Sequence, residues 1–286
     1  MTLLLFLMAV ASSAGIFYLT GLYTVWYFYF IPILLLVPTY WLSFVLLVLT
    51  VGFIGLFFNK KKEIKRPYGY FYWVTCNCIR QVMRFLRVKV KITGIEKLPE
   101  ESFVAVYNHR SVIDPFVLMT RLPVKRIVMI SKPENEKIPV VGKYMHYSGF
   151  LTIDRRSPKN ARVTVERSAA WVRENIASVA ISPEGTRSKS GKLLAFRAAP
   201  FSTAKKAEAP LVVTTMVNTE KVFKRFPWRS TTIDLHIVGV ISPDTLLEMS
   251  SFDLSNQVRQ MMLDDLGEED SLPPAKSPDE PSEAES

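Results

Sequence analysis

At 286 residues, 49% of them apolar, the chain is long enough for one sizeable domain with attachments. Its formal net charge of +10 is unevenly divided: residues 264–286 hold nine acids and one lysine, a balance of −8, which leaves +18 on the rest. A strongly basic body behind an apolar N-terminus points to anionic lipid headgroups. No nucleic-acid-binding motif occurs, which excludes the other usual partner of a basic protein.

Residues 1–59 contain no charged side chain. A spanning helix needs ~20 apolar residues, so this stretch predicts a two-span membrane hairpin. The spans fall near 2–22 and 39–58, with Pro32 and Pro38 in the break between them. The aromatic run YTVWYFYF (23–30) suits a headgroup interface. A cleaved signal peptide would need a positive n-region and a short apolar core, and neither is present. Lys60, Lys61, Lys62, Lys65 and Arg66 follow the second span. The positive-inside rule places them, and all that follows, on the cytoplasmic side of a bacterial plasma membrane.

Residues 60–87 read as a basic linker and an amphipathic interfacial helix. Phe71, Val74, Cys78, Val82 and Leu86 recur at helical spacing, with Arg80, Arg84 and Arg87 on another face. A helix packed on a domain core would show the same period. Its place directly after the hairpin favours the membrane surface. Cys76 and Cys78 lack the other two ligands of a zinc site and read as reduced thiols, so no metal is expected.

Residues 88–263 alternate strands and helices. Strands are predicted at 88–94, 102–108, 126–131, 177–182, 210–217 and 231–241. Helices are predicted from Asp114, over 157–175, near 199–207 and over roughly 253–266. This order predicts an α/β fold, a mixed, largely parallel sheet flanked by helices. Residues 264–286, rich in Pro, Ser and acids, read as a disordered acidic tail.

Two segments could hold chemistry. In NHRSVID (108–114), His109 precedes Asp114 by five residues. On one helix the two would point ~140° apart. Across a strand-to-helix turn, with Asp114 as cap and Pro115 as first helical residue, the carboxylate can hold Nδ1–H and leave Nε2 to take a proton. In SPEGTRS (182–188), after a buried strand, Gly185 permits a tight backbone, Thr186 offers a hydroxyl and Arg187 a planar fork for phosphate. A polar turn with a surface arginine would look similar.

Together these segments resemble the motifs of the 1-acylglycerol-3-phosphate acyltransferases. The first family motif, N-H-x4-D, is matched by Asn108, His109 and Asp114. The later P-E-G-T-R-S is matched by Pro183, Glu184, Gly185, Thr186, Arg187 and Ser188. Between them lie Lys132, IPVVG (138–142) and GFLTIDR (149–155) in the family's order, so the resemblance covers roughly residues 88–220. The chain departs from it at Ala195, Arg197 and Ala199, where Pro-Phe-Lys and a glycine are usual, and at Val213, where a proline is.

The resemblance implies transfer of an acyl chain from acyl-CoA or acyl carrier protein to the free hydroxyl of lysophosphatidate, a membrane lipid. His109 is the base and Asp114 its orienting partner. Arg187, helped by Lys132 and Arg155, holds the phosphate, and Glu184 orients Arg187 or the glycerol. No cofactor and no covalent acyl-enzyme are implied, and the chain has no G-x-S-x-G elbow. Ser111 reads as a loop hydroxyl, and His146 and His236 as structural. The competing readings are glycerol 3-phosphate or another lysolipid as acceptor, hydrolysis in place of transfer, and a scaffold without activity.

Overall fold

The computed structural model describes residues 2–24, 29–58, 64–154, 157–197 and 199–270. The chain divides into two compact units, residues 1–63 with 138–144, and residues 64–137 with 145–286.

The first unit is a helical hairpin. Helix α1 spans Thr2–Leu19 and α2 spans Ile31–Leu56. The second helix begins well before the predicted start at 39: Pro32 sits in its first turn and Pro38 lies inside it. Proline suits a first turn, whose N–H groups have no partner in the helix anyway. Next to Pro38, the Thr39 hydroxyl bonds Leu35 O at 2.6 Å and Ser13 Oγ of α1 at 3.0 Å. Among the described residues only α2 is long and apolar enough to cross a membrane. Helix α1, at 18 residues, reaches about 27 Å against the ~30 Å of a hydrocarbon core. Segment 138–144 packs on the last turns of α2. A Cβ on Gly52 would come within 2.9 Å of Val140, and one on Gly55 within 3.1 Å of Tyr144. The two glycines therefore let this segment approach the α2 backbone.

The second unit is built on a seven-stranded sheet. In chain order its elements are α3 (Gly69–Phe85), β1 (Val88–Thr93), β2 (Val104–Tyr107), α4 (Asp114–Arg121), β3 (Ile127–Ser131), α5 (Pro133–Glu136), α6 (Val141–Tyr147, beginning in the first unit) and β4 (Leu151–Thr152). They continue with α7 (Pro158–Arg173), β5 (Ser178–Ile181), α8 (Ala199–Ala207), β6 (Leu211–Val217), α9 (Val222–Arg225), β7 (Thr231–Ile241), α10 (Pro243–Glu248) and α11 (Ser251–Leu266). The sheet order is β1-β7-β6-β2-β5-β3-β4, and every neighbouring pair is parallel except β6 with β7. This is the expected α/β class with a mixed, largely parallel sheet.

Central strands β2 and β5 are buried along their whole length, as strands covered on both faces must be. Phe103, Ala105, Tyr107 and Met129 join Cys76, Ile79 and Met83 of α3 and Val117 of α4 in one apolar cluster. Helices α7, α8 and α11 pack against β5, β2 and β6. The apolar face of α3 is thus a core face, made by Phe71, Val74, Cys76, Ile79 and Met83. Val82, predicted on that face, is exposed.

The predicted start of the acidic tail at 264 falls inside α11. Asp265 accepts from Thr215 and sits 3.1 Å from Nδ1 of His236, which ties α11 to β6 and β7 and gives His236 its structural role. Residues 271–286 lie outside the described part.

Candidate active site

Parallel strands β2 and β5 are neighbours, so the segments that follow them leave the sheet side by side at its carboxyl edge. That edge is where open α/β sheets place their ligand sites.

Residues 108–114 form a turn closed by a single carboxylate. Asp114 is fully buried, and its Oδ2 accepts the backbone N–H of Arg110 at 2.8 Å and of Ser111 at 2.7 Å. The same oxygen lies 2.9 Å from His109 Nδ1. Asp114 is therefore the first helical residue rather than the cap, and its side chain folds back over the turn. The carboxylate can only accept, so Nδ1 carries the proton and Nε2 presents its lone pair. Asp114 Oδ1 is buried without a hydrogen-bond partner among the described residues, so this carboxylate acts through one oxygen. The His109 side chain stays 21% exposed, enough for a substrate to reach it. Tyr107 places its ring edge-on at 5.9 Å from the imidazole. Burial first, then the charges of Asp114 and Glu184, hold the Tyr107 phenol protonated by pushing its pKa up.

Asn108 anchors the loop from the other side. Its side-chain amide donates to Met216 O at 2.9 Å and its carbonyl accepts Met216 N–H at 2.7 Å, an edge-to-edge pairing with β6.

The loop after β5 turns at Gly185, whose φ of +69° lies in the left-handed region that favours glycine. Glu184 is buried, 3% exposed. Its Oε1 accepts the backbone N–H of His109 at 2.6 Å and its Oε2 that of Leu194 at 3.0 Å. His109 O in turn accepts Ser188 N–H at 2.8 Å. Burial raises the Glu184 carboxyl above its usual range, and the His109 and Leu194 amides, together with the nearby His109 and Arg110 charges, oppose it. Both oxygens accept backbone amides, so Glu184 ties the two motif segments together.

The structure brings Asp114 and Glu184 each into direct contact with His109. Thr186 and Arg187 are exposed on the same loop, and Lys132 is exposed just after β3, the next strand of the edge. No described hydrogen bond joins these side chains to the pair. Arg155 lies outside the described residues. Ser111 Oγ accepts Ile113 N–H at 3.3 Å and is a loop hydroxyl, as read from sequence. His146 lies in α6 with its ring against Tyr147. Among the described residues no cluster of His, Cys, Asp and Glu could hold a metal ion.

Sequence reasoning missed the structural work of Asn108, although the residue stood in the matched motif. It also missed Arg110, whose guanidinium pairs with Glu268. No local signal marked that pair, because its members lie 158 residues apart.

A buried-carboxylate–histidine pair thus sits at the carboxyl edge of a largely parallel sheet, joined through Glu184 to the P-E-G-T-R loop. The acyltransferase family model matches residues 89–217, somewhat under half of the chain. Among its relatives, the 1-acyl-sn-glycerol-3-phosphate acyltransferase of Saccharomyces cerevisiae is 27% identical over 80% of this chain and 78% of that protein. The chloroplastic 1-acyl-sn-glycerol-3-phosphate acyltransferase of Arabidopsis thaliana is 34% identical over 47% of this chain, which spans only 37% of that protein. The crystal structure of the 1-acyl-sn-glycerophosphate acyltransferase PlsC from Thermotoga maritima shares the fold. Its TM-score is 0.52 at 19% identity, over 78% of this chain and 97% of that one.

Proposed function

We propose that this protein is an O-acyltransferase that moves a fatty acyl chain from an acyl thioester to the free hydroxyl of 1-acylglycerol 3-phosphate, giving phosphatidate. The observation that carries the reading is the 2.9 Å contact of His109 Nδ1 with Asp114, which leaves Nε2 directed to a substrate hydroxyl. The naming of its curated relatives supplies the substrate class.

His109 Nε2 takes the proton of the glycerol hydroxyl as its oxygen attacks the thioester carbonyl carbon. The carbon–sulfur bond then breaks, and the imidazolium returns the proton to the departing thiolate. Asp114 stabilises the imidazolium and fixes its ring, which is the usual second half of a general-base pair. Arg187 offers two parallel N–H donors to the acceptor phosphate, and Lys132 and Arg155 add positive charge, as the motif resemblance implies. Acyl-CoA or acyl carrier protein serves as donor, and the protein's own residues supply the chemistry without a cofactor.

The N-terminal hairpin anchors the enzyme in the membrane, with the catalytic domain on its cytoplasmic side. The outer side of α3 supports this reading, since it exposes Tyr70, Trp73, Val82 and Phe85 beside Arg84 and Arg87. Segment 221–230, KVFKRFPWRS, has four cations and no acid, and its Trp228 is 86% exposed. Phe226 packs on Phe85 at 5.1 Å and Arg87 donates to Pro227 O at 3.0 Å, so helix and segment form one basic, aromatic surface. Such a surface suits an anionic headgroup layer.

The test offers the purified protein labelled lysophosphatidate, glycerol 3-phosphate and lysophosphatidylcholine, each with acyl-CoA and with acyl carrier protein. Labelled phosphatidate should form from lysophosphatidate. Faster turnover of either other acceptor would replace this substrate assignment.

A further inference from the structure

Helix α11 ends at Gly267, whose φ of +63° turns the chain back toward the sheet edge. That turn delivers Glu268 and Asp270 to the loops of the site. Glu268 Oε1 accepts from the Arg110 guanidinium, and its Oε2 accepts Leu193 N–H at 3.3 Å. Arg259 of α11 is nearly buried and donates to Leu194 O at 2.6 Å and Leu193 O at 3.4 Å. Asp270 holds the other side of that guanidinium at 2.7 and 3.0 Å, and Phe196 lies under it at 5.5 Å. Leu193–Phe196 lies in the 193–201 stretch where the chain departs from the pattern it resembles, at Ala195, Arg197 and Ala199.

These bonds close a ring. It runs from His109 along the backbone to Arg110, across to Glu268, to the Leu193 amide and on to Leu194. From Leu194 N–H it passes to Glu184 and back to the His109 amide. The Arg110–Glu268, Glu268–Leu193 and Glu184–His109 links each cross between segments distant in sequence. The Arg110 side chain is 10% exposed and that of Glu268 22%, so the ion pair is shielded from the screening that weakens surface pairs. Core packing of Leu254, Val258, Met262 and Leu263 fixes α11 itself.

We propose that the C-terminal segment Arg259–Asp270 positions the catalytic loop, with Glu268 acting on His109 through Arg110 and through the Leu193–Leu194 amides. Glu268 is a positioning residue and touches no substrate. The proposal rests on His109 as the base, but not on which acceptor that base serves.

The test uses the full-length protein in proteoliposomes with Glu268→Gln, Glu268→Asp and, as a control for tail charge, Glu269→Gln. A base displaced by a fraction of an ångström loses rate while binding persists. So Glu268→Gln should lower kcat by roughly ten- to a hundredfold with KM values within about twofold. Glu268→Asp should recover part of the rate, and Glu269→Gln should behave as wild type. In parallel, hydrogen exchange at Leu193 and Leu194 should quicken in Glu268→Gln alone. Quickened exchange in a protein that acylates none of the offered acceptors would sink the substrate assignment and leave this device standing. Unchanged kcat and unchanged exchange in Glu268→Gln would overturn it. So would a lower KM for the phosphorylated acceptor at constant kcat, which would make Glu268 a stand-in for that phosphate on Arg110.

Discussion

Glu184 Oε1 accepts the backbone N–H of His109 at 2.6 Å, across 75 residues of sequence. The two motifs are therefore parts of one hydrogen-bonded unit, with His109 held at its ring by Asp114 and at its backbone by Glu184. A base held at both ends loses little freedom when substrate arrives, and orientation of this kind is a large part of what an active site contributes.

Replacing the base and replacing its partner should differ. His109→Ala should remove nearly all transfer, since general base catalysis contributes ~10²–10⁴-fold. Asp114→Asn keeps an oxygen for the Arg110 and Ser111 amides but cannot stabilise an imidazolium, and its NH₂ would favour the wrong tautomer. Its kcat should fall by a similar order while circular dichroism and membrane retention persist. Near-normal turnover by His109→Ala would remove the base assignment.

Glu184 gives a pH-dependent signature. Burial raises its folded pKa above the unfolded value. A raised carboxyl contributes stability below the ordinary Glu range and loses it as pH rises through the raised value. Once ionised, the group therefore costs stability, kept there for its grip on His109. Relative to wild type, Glu184→Gln should become more stable as pH rises from about 4 to about 7, and less active throughout. Thermal melts of both proteins across that range check the sign. A variant that loses stability relative to wild type as pH rises would contradict it.

Much of this was legible in sequence because the information is local. His109 and Asp114 are five apart across a strand-to-helix turn, and Pro115 marks the helix start. The α/β order follows from apolar runs such as Ser178–Ile181, which are buried strands. What was illegible depends on distant partners. Composition made residues from 264 onward read as disorder, yet Asp265, Glu268 and Asp270 meet Thr215, Arg110 and Arg259. The start of α2 was misplaced because Pro38 reads as a break, and a helix pair that meets its own polar groups tolerates it. The periodicity of α3 allowed several apolar stripes, and only the sheet beneath it selects the one through Ile79 and Met83.

Asn108 should matter for stability more than its neighbours suggest. It is 1% exposed and makes both bonds with Met216. Asn108→Leu would leave the Met216 N–H and C=O buried and unpaired, each costing about 1–3 kcal/mol. A clear fall in melting temperature is expected, with activity lost through the displaced His109. An unchanged melting temperature would mean that water or a shifted strand replaces these bonds.

The basic aromatic surface predicts salt-sensitive contact with lipid. In nanodiscs containing anionic lipid, Phe223→Ser with Trp228→Ser should lower the protection of segment 221–230 from protease. The same should follow from raising salt, since each surface cation contributes ~1 kcal/mol and is screened. Equal cleavage in anionic and neutral discs would remove the surface from the membrane.

Arg187 should act on the acceptor and little on the donor. It is exposed on the loop that Glu184 fixes to His109, so a phosphate gripped there would hold its glycerol hydroxyl within reach of the base. A guanidinium grips phosphate through paired, charge-assisted hydrogen bonds, whereas a lysine offers a point charge. Arg187→Lys should weaken the phosphorylated acceptor measurably and Arg187→Ala more. A charged hydrogen bond contributes ~1.5–3 kcal/mol, which is roughly ten- to over a hundredfold in kcat/KM. An acceptor without phosphate should barely respond, because it never used the clamp. Varying donor and acceptor separately on both variants decides the point. If the donor's KM rises while the acceptor's stays constant, Arg187 reads phosphates of the donor, and the two substrates exchange places along this edge of the sheet.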